Sequence, residues 1–151
     1  KEGNMALPDV GTRAPLFSLP NQNGDKVCLS DYVGKKVLIW FFPRAFGGGW
    51  TKQIQGFRDR IQEYAHKNTE LLGITFSTPE DLEKWGAETG YSGVLLSDAD
   101  RSVAITYGAA SSPDQEKATR VSILVDTDGI ILKTFEVDDA PGHAGAVLAD
   151  I

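Results

Sequence analysis

Few side chains in this sequence are equipped for covalent or metal chemistry. There is one cysteine, Cys28, and there are two histidines, His66 and His143, far apart in the chain. A lone cysteine excludes an intrachain disulfide, a CxxC redox pair and a multi-cysteine zinc site. Two distant histidines argue against a histidine-based metal centre, so neither metal nor other cofactor is expected. The stretch that invites a chemical reading is PRAFGGGW, Pro43 to Trp50. An apolar run feeds it and a helical pattern follows it. Gly47, Gly48 and Gly49 would leave several backbone N–H groups unobstructed, and a helix N-terminus adds partial positive charge. With Arg44 close by, the loop suits an anion, a phosphate or a thiolate. It is not a P-loop, because Trp50 and Thr51 stand where Lys and Ser or Thr are required. A merely flexible turn is the plain alternative. Trp50, at the position such a layout usually displays, has no nucleophile.

The elements that would position this loop can be read from periodicity. LFSLPNQNGDKVCLSDYVGKK reads as a hairpin, with Asn21 to Asp25 as its turn. Val37 to Phe42 is a strand apolar on both faces, as a helix-covered parallel strand must be, and Pro43 ends it. A helix follows from about Trp50 to His66, with Ile54, Phe57, Ile61 and Tyr64 on one stripe. Leu71 to Phe76 is a second buried strand. Thr78 is the expected N-cap of the next helix, with Pro79 at its first position and Gly90 ending it. A short strand at VLLSD, a short helix from Arg101 to Tyr107 and a polar loop, AASSPDQEKAT, come next. RVSILVDTDGIILKTFEV is a second hairpin, turning at Thr127-Asp128-Gly129. The tail from Gly142 is weakly helical. This order predicts an α/β domain with a mixed sheet flanked by helices. On such sheets ligands gather beyond the carboxyl ends of the parallel strands, where Pro43 to Trp50 would lie.

Composition limits the partners. The net charge of −6 and pI near 4.8 disfavour nucleic acid and anionic membranes. No run approaches the roughly 18 apolar residues of a membrane span, and the opening residues lack a signal peptide's apolar core. A cytoplasmic setting is the expectation. Residues 1–9 read as an N-terminal extension, with Met5 a natural start and Lys1 to Asn4 added ahead of it. Residues 10–151 read as one domain.

Four further stretches carry a resemblance in their order and spacing. They are VGTRAPLFSLPNQNGDKVCLSDYVGKKVLIWFFP, FRDR (Phe57 to Arg60), LLSDADRSVAITYG and RVSILVDTDGII. Together they resemble a peroxiredoxin of the AhpC/TSA superfamily, nearest the Q type, the bacterioferritin-comigratory proteins. That resemblance implies a thioredoxin-like fold with an N-terminal hairpin. The family's active-site pattern is P-x-x-x-T-x-x-C, completed by an arginine that opens a later strand and lowers the cysteine pKa. Pro43 matches the proline and Arg120 the arginine. Gly47 stands where the threonine belongs and Trp50 where the peroxidatic cysteine belongs. The resolving cysteine of the Q type falls at Gln55, and a glutamate usual in the first turn of the helix is replaced by Gln53. The pocket implied by the resemblance comprises Pro43, Arg44, Gly47, Gly48, Gly49, Trp50 and Arg120.

Thiol peroxidase chemistry needs a thiolate or selenolate, which an indole cannot replace. Three readings stay open. The first is a non-catalytic peroxiredoxin-fold protein that binds a small ligand or protein, with a homodimer through the loop surface as its simplest form. The second is a peroxidase lineage whose Cys or Sec at position 50 has been replaced by Trp. The third is changed chemistry in the old peroxide pocket, with glycine N–H groups holding an oxyanion. Cys28, on the N-terminal hairpin, reads as a small apolar strand residue rather than a substitute nucleophile. His66 reads as a helix-end residue, His143 as solvated, and Trp40 and Trp85 as core. Arg120 also has a plain reading, as a solvated or acid-paired arginine at the start of a strand.

Overall fold

In strand β3, Lys36–Phe41, every residue from Val37 onward is buried. A strand buried on both faces needs cover on both, and the computed structural model shows what supplies it. The structure describes residues 7–45, 48–136, 142–149 and 151, without the side chains of 48–52. The N-terminal strands β1 (Ser18–Pro20) and β2 (Lys26–Cys28) form a separate antiparallel pair. The main sheet adds β4 (Thr69–Thr75), β5 (Val94–Ser97), β6 (Val121–Val125) and β7 (Ile131–Glu136), in the order β5-β4-β3-β6-β7. β3, β4 and β5 pair in parallel, β6 lies antiparallel to β3, and β7 antiparallel to β6.

Strand alternation sorts the core into two layers. Val37, Ile39 and Phe41 face the side covered by Leu19, Val27 and Leu29 of the N-terminal segment and by Val103 and Ala104. The last two belong to α3, Ser102–Thr106. Leu38, Trp40 and Phe42 face the other side, with Ile54, Phe57 and Tyr64 of α1 (Gly48–His66), Leu82 and Trp85 of α2 (Pro79–Thr89) and Val147 of α4 (His143–Leu148). Trp40 and Trp85 are core residues, as expected.

The local signals act largely as read. Thr78 caps α2, its hydroxyl accepting from the Asp81 N–H at 3.2 Å, and Gly90 ends the helix at a φ of 76°. The Gln22 amide behaves like a peptide group added to the edge of β5. It donates to the Gly93 carbonyl and accepts from the Leu95 N–H, both at 3.1 Å. The Asp98 carboxylate fastens α3 by accepting from the Ala104 N–H at 2.8 Å and the Val103 N–H at 3.3 Å. Burial pushes its pKa up, against those bonds.

Two expectations need correcting. Helix α1 begins at Gly48, so Gly48 and Gly49 form its first turn rather than a glycine turn ahead of it. A weak helix propensity at the terminus is outweighed by tertiary packing of the face that Ile54 and Phe57 begin. His143 is not solvated but buried. Its Nε2 lies 2.8 Å from the Ser122 hydroxyl, and its ring meets Phe57 and Phe135 edge-on. The tail folds back over α1, where the Tyr64 hydroxyl donates to the Ala144 carbonyl at 2.6 Å. That return places a polar ring in the core.

Both features make measurable predictions. The Trp40 indole lies so close over Gly73 that a Cβ there would sit 2.7 Å from two of its ring carbons. Gly73→Ala should therefore lower unfolding free energy by ~1–3 kcal/mol, as overpacking does; an unchanged denaturant midpoint would refute the close packing. Burial lowers the His143 pKa from 6.5 to about 4. Between those values the unfolded chain binds the extra proton and the native one does not. Stability is then complete above about pH 6.5 and declines as pH falls toward 4. His143→Gln should flatten that decline in urea titrations; an identical slope in both proteins would exclude His143 as its source.

Candidate functional site

The sheet brings several of the expected residues to one end. β3 ends at Phe41, and the Phe42 N–H still reaches the Ile74 carbonyl of β4 at 3.1 Å. The chain then turns through Pro43, buried, and Arg44, exposed. The Ala45 N–H donates to the Ser77 hydroxyl at 3.0 Å, which ties this turn to the loop that follows β4. Because Trp40 pairs with Ser122 in antiparallel register, Arg120 lies beside the end of β3. Arg120 is half-buried. Pro43 and Arg120, distant in sequence, thus lie at the same carboxyl end of β3 because β6 enters the sheet there in the opposite direction.

Above this end α1 begins. The backbone of Gly48, Gly49 and Trp50 is helical, while Gly47 and the Trp50 side chain lie outside the described residues. The first-turn N–H groups of a helix have no intrahelical acceptor, so the anion-favouring character of the loop persists with the helix starting earlier. Gln55 is half-buried on α1.

Sequence reasoning missed two polar groups here. Gln53 is fully buried, and neither its amide nitrogen nor its amide oxygen has a hydrogen-bond partner. The Thr75 hydroxyl, one residue beyond Ile74, is likewise buried and unpartnered. Gln53 sits next to Ile54 at the start of the apolar stripe, and that spacing was the available signal for its burial.

Cys28 stands elsewhere. It closes β2, half-buried, with its thiol 3.5 Å from the Ser18 hydroxyl. Its neighbours Val27 and Leu29 pack into the layer on the opposite face of the sheet from α1. Among the described residues no cluster of His, Cys, Asp and Glu could hold a metal ion. No helix among them is long and apolar enough to cross a membrane.

Known proteins share this architecture. The AhpC/TSA family pattern matches residues 10–134. The peroxiredoxin Bcp of Escherichia coli is 35% identical over 144 residues, which is 92% of this chain and 92% of that protein. The crystal structure of peroxidoxin BcpB from Mycobacterium tuberculosis superposes with a TM-score of 0.85 at 28% identity, covering 93% of this chain and 94% of that one. A bacterioferritin comigratory protein of Xanthomonas campestris also superposes at 0.85, with 22% identity and coverage of 94% and 96%. At that identity the likeness speaks for the fold alone.

The Gln53 amide supplies the prediction for this end of the molecule. A buried polar group without a partner lowers stability, and an apolar replacement of similar shape removes the penalty. Gln53→Met should therefore raise unfolding free energy by ~1–3 kcal/mol. A loss of stability in chemical denaturation would mean that the amide is hydrogen-bonded in solution.

Proposed function

The chain belongs to the AhpC/TSA family and has its thioredoxin-like fold, alongside peroxiredoxins of the Bcp type, and from that premise we propose that it has left thiol peroxidase chemistry. In this reading it acts as a binding or interaction protein, using the pocket that the family resemblance implies from Pro43, Arg44, Gly47, Gly48, Gly49, Trp50 and Arg120. One observation carries the reading. The sequence has a single thiol, and its neighbours Val27 and Leu29 pack on the opposite face of the sheet from the apolar stripe of α1. Cys28 belongs to the hairpin layer, so it is not placed to replace a nucleophile at position 50, and Gln55 supplies no resolving thiol. Trp50 then fills the vacated pocket or anchors a partner, an aromatic role favoured at interfaces. A homodimer through this loop surface is the simplest partner, and a cytoplasmic setting suits a protein with no disulfide to form.

A second reading is favoured by the extent of the likeness to Escherichia coli Bcp, which spans nearly the whole of both chains. The scaffold is then a peroxidase whose Cys or Sec at position 50 gave way to Trp. One assay separates the two. Stopped-flow reduction of hydrogen peroxide with a thiol donor should show only background turnover for this chain. Trp50→Cys combined with Gly47→Thr should gain thiol-dependent turnover if the scaffold is still competent. Substantial turnover by the unaltered chain, abolished by Cys28→Ala, would sink the binding-protein reading.

A further inference from the structure

At the opposite end of the sheet from Pro43, where β3 starts and β6 ends, the structure holds a cavity of about 190 Å³. Its inner walls are the buried side chains of Ala14, Leu29, Val37 and Val125. The apolar character continues to the surface. Leu16 and Val33, two of the most exposed large apolar residues among those described, are 70% and 77% exposed, and both line the cavity. A cavity of roughly 150 Å³ with apolar walls takes up benzene, so this one has room for a six-membered ring or a short branched chain.

The rim determines which kind of molecule fits. Ser30 and Tyr32 line the cavity, and neither hydroxyl makes a hydrogen bond to the described residues. Tyr32 stays protonated as a donor, since burial, then Glu70 and Asp31, all raise its pKa. Arg13 and Lys35 add two exposed cations. Lys35 pairs with Glu70 at 3.2 Å with both side chains well exposed, an interaction weak enough to exchange. Arg13 reaches only the Asp128 carbonyl, at 3.5 Å. The two acids of the rim are already engaged in the β6–β7 turn. The Asp126 carboxylate accepts from the Thr127 N–H at 2.8 Å and the Asp128 carboxylate from the Ile130 N–H at 3.3 Å. The rim therefore offers two unused hydroxyl donors and two weakly held cations above an apolar floor, the pattern of a small-ligand site.

We propose that this cavity binds a small carboxylic acid with an aromatic or branched apolar body, the body among Ala14, Leu29, Val37 and Val125 and the carboxylate at the rim donors. The site is independent of the loop at Pro43 and of what that loop does.

The test is a titration of the full chain with sodium benzoate, followed by backbone amide NMR, with benzyl alcohol as the uncharged counterpart. Benzoate should give saturable shifts at Leu29, Val33, Val125 and Gly129, and none at Phe41 or Phe42. Ser30→Trp, at an exposed rim position, should abolish them. Arg13→Gln combined with Lys35→Gln should weaken benzoate about tenfold while leaving benzyl alcohol unchanged, as loss of charge-assisted hydrogen bonds does. Three outcomes overturn the proposal. They are no saturable shift at the cavity, shifts centred on Arg120 instead, and benzyl alcohol binding as tightly as benzoate.

Discussion

The structure depends on the contact between the Trp40 indole and the bare backbone of Gly73. Trp40 and Gly73 are register partners on the two central parallel strands, and a side chain at Gly73 would occupy the space of the ring. That absence lets the indole lie across β4. There it stacks on Phe42, with centroids 4.6 Å apart, and meets Phe57 of α1 at 4.7 Å. Phe42 in turn meets Trp85 of α2 at 5.2 Å. One indole thus links the central strand, the helix that follows it and the next helix into one aromatic layer. Large aromatic surfaces in offset or tilted contact contribute beyond their buried area. The layer also fixes where α1 can sit, and with it where the loop beyond Pro43 must end.

The central sheet separates two chemistries as well as two core layers. On the α1 side lie Gln53 and the His143–Ser122 pair, the imidazole held between the Phe57 and Phe135 rings. On the hairpin side lie Cys28 and the η-turn Leu29–Tyr32 that walls the cavity. The hairpin is held in place by the two hydrogen bonds of Gln22 to β5 and by Leu19, Val27 and Leu29 in the core. The neighbours of Cys28 are thereby fixed in the layer opposite the apolar stripe of α1.

Much of this was legible in the sequence because the signals were local and mutually consistent. The apolar run at Val37 read as a doubly covered central strand, and Thr78-Pro79 with Gly90 bounded α2 because caps and φ restrictions act over a few residues. The family motifs gave the fold. What stayed hidden was set by long-range packing. The position of His143 in a polar, weakly helical tail says nothing of the return over α1 that buries it. Gln53 read only as a replacement for a first-turn glutamate, and its full burial is set by the packing of α1 on the sheet. The cavity joins residues 13–16, the η-turn and the β6–β7 turn, which no periodicity in any of them connects.

Two of the residues with buried, unpartnered polar groups share one end of the sheet. Gln53 and Thr75 lie on the elements that meet at the carboxyl end of the parallel strands, the end where ligands gather on sheets of this kind. Several other polar groups in the core are satisfied: Tyr64 on Ala144, Thr89 on Trp85 and Gly86, Asp98 on α3, His143 on Ser122. Native structures keep few such orphans, and those that persist ask for a reason beyond packing. A fold optimised only for stability would place an apolar side chain at position 53, where the neighbouring stripe is already apolar. Retaining an amide there keeps a polar group buried at a cost in stability. The apolar stripe of α1 anchors the helix, while Gln53 keeps a buried polar group beside that stripe.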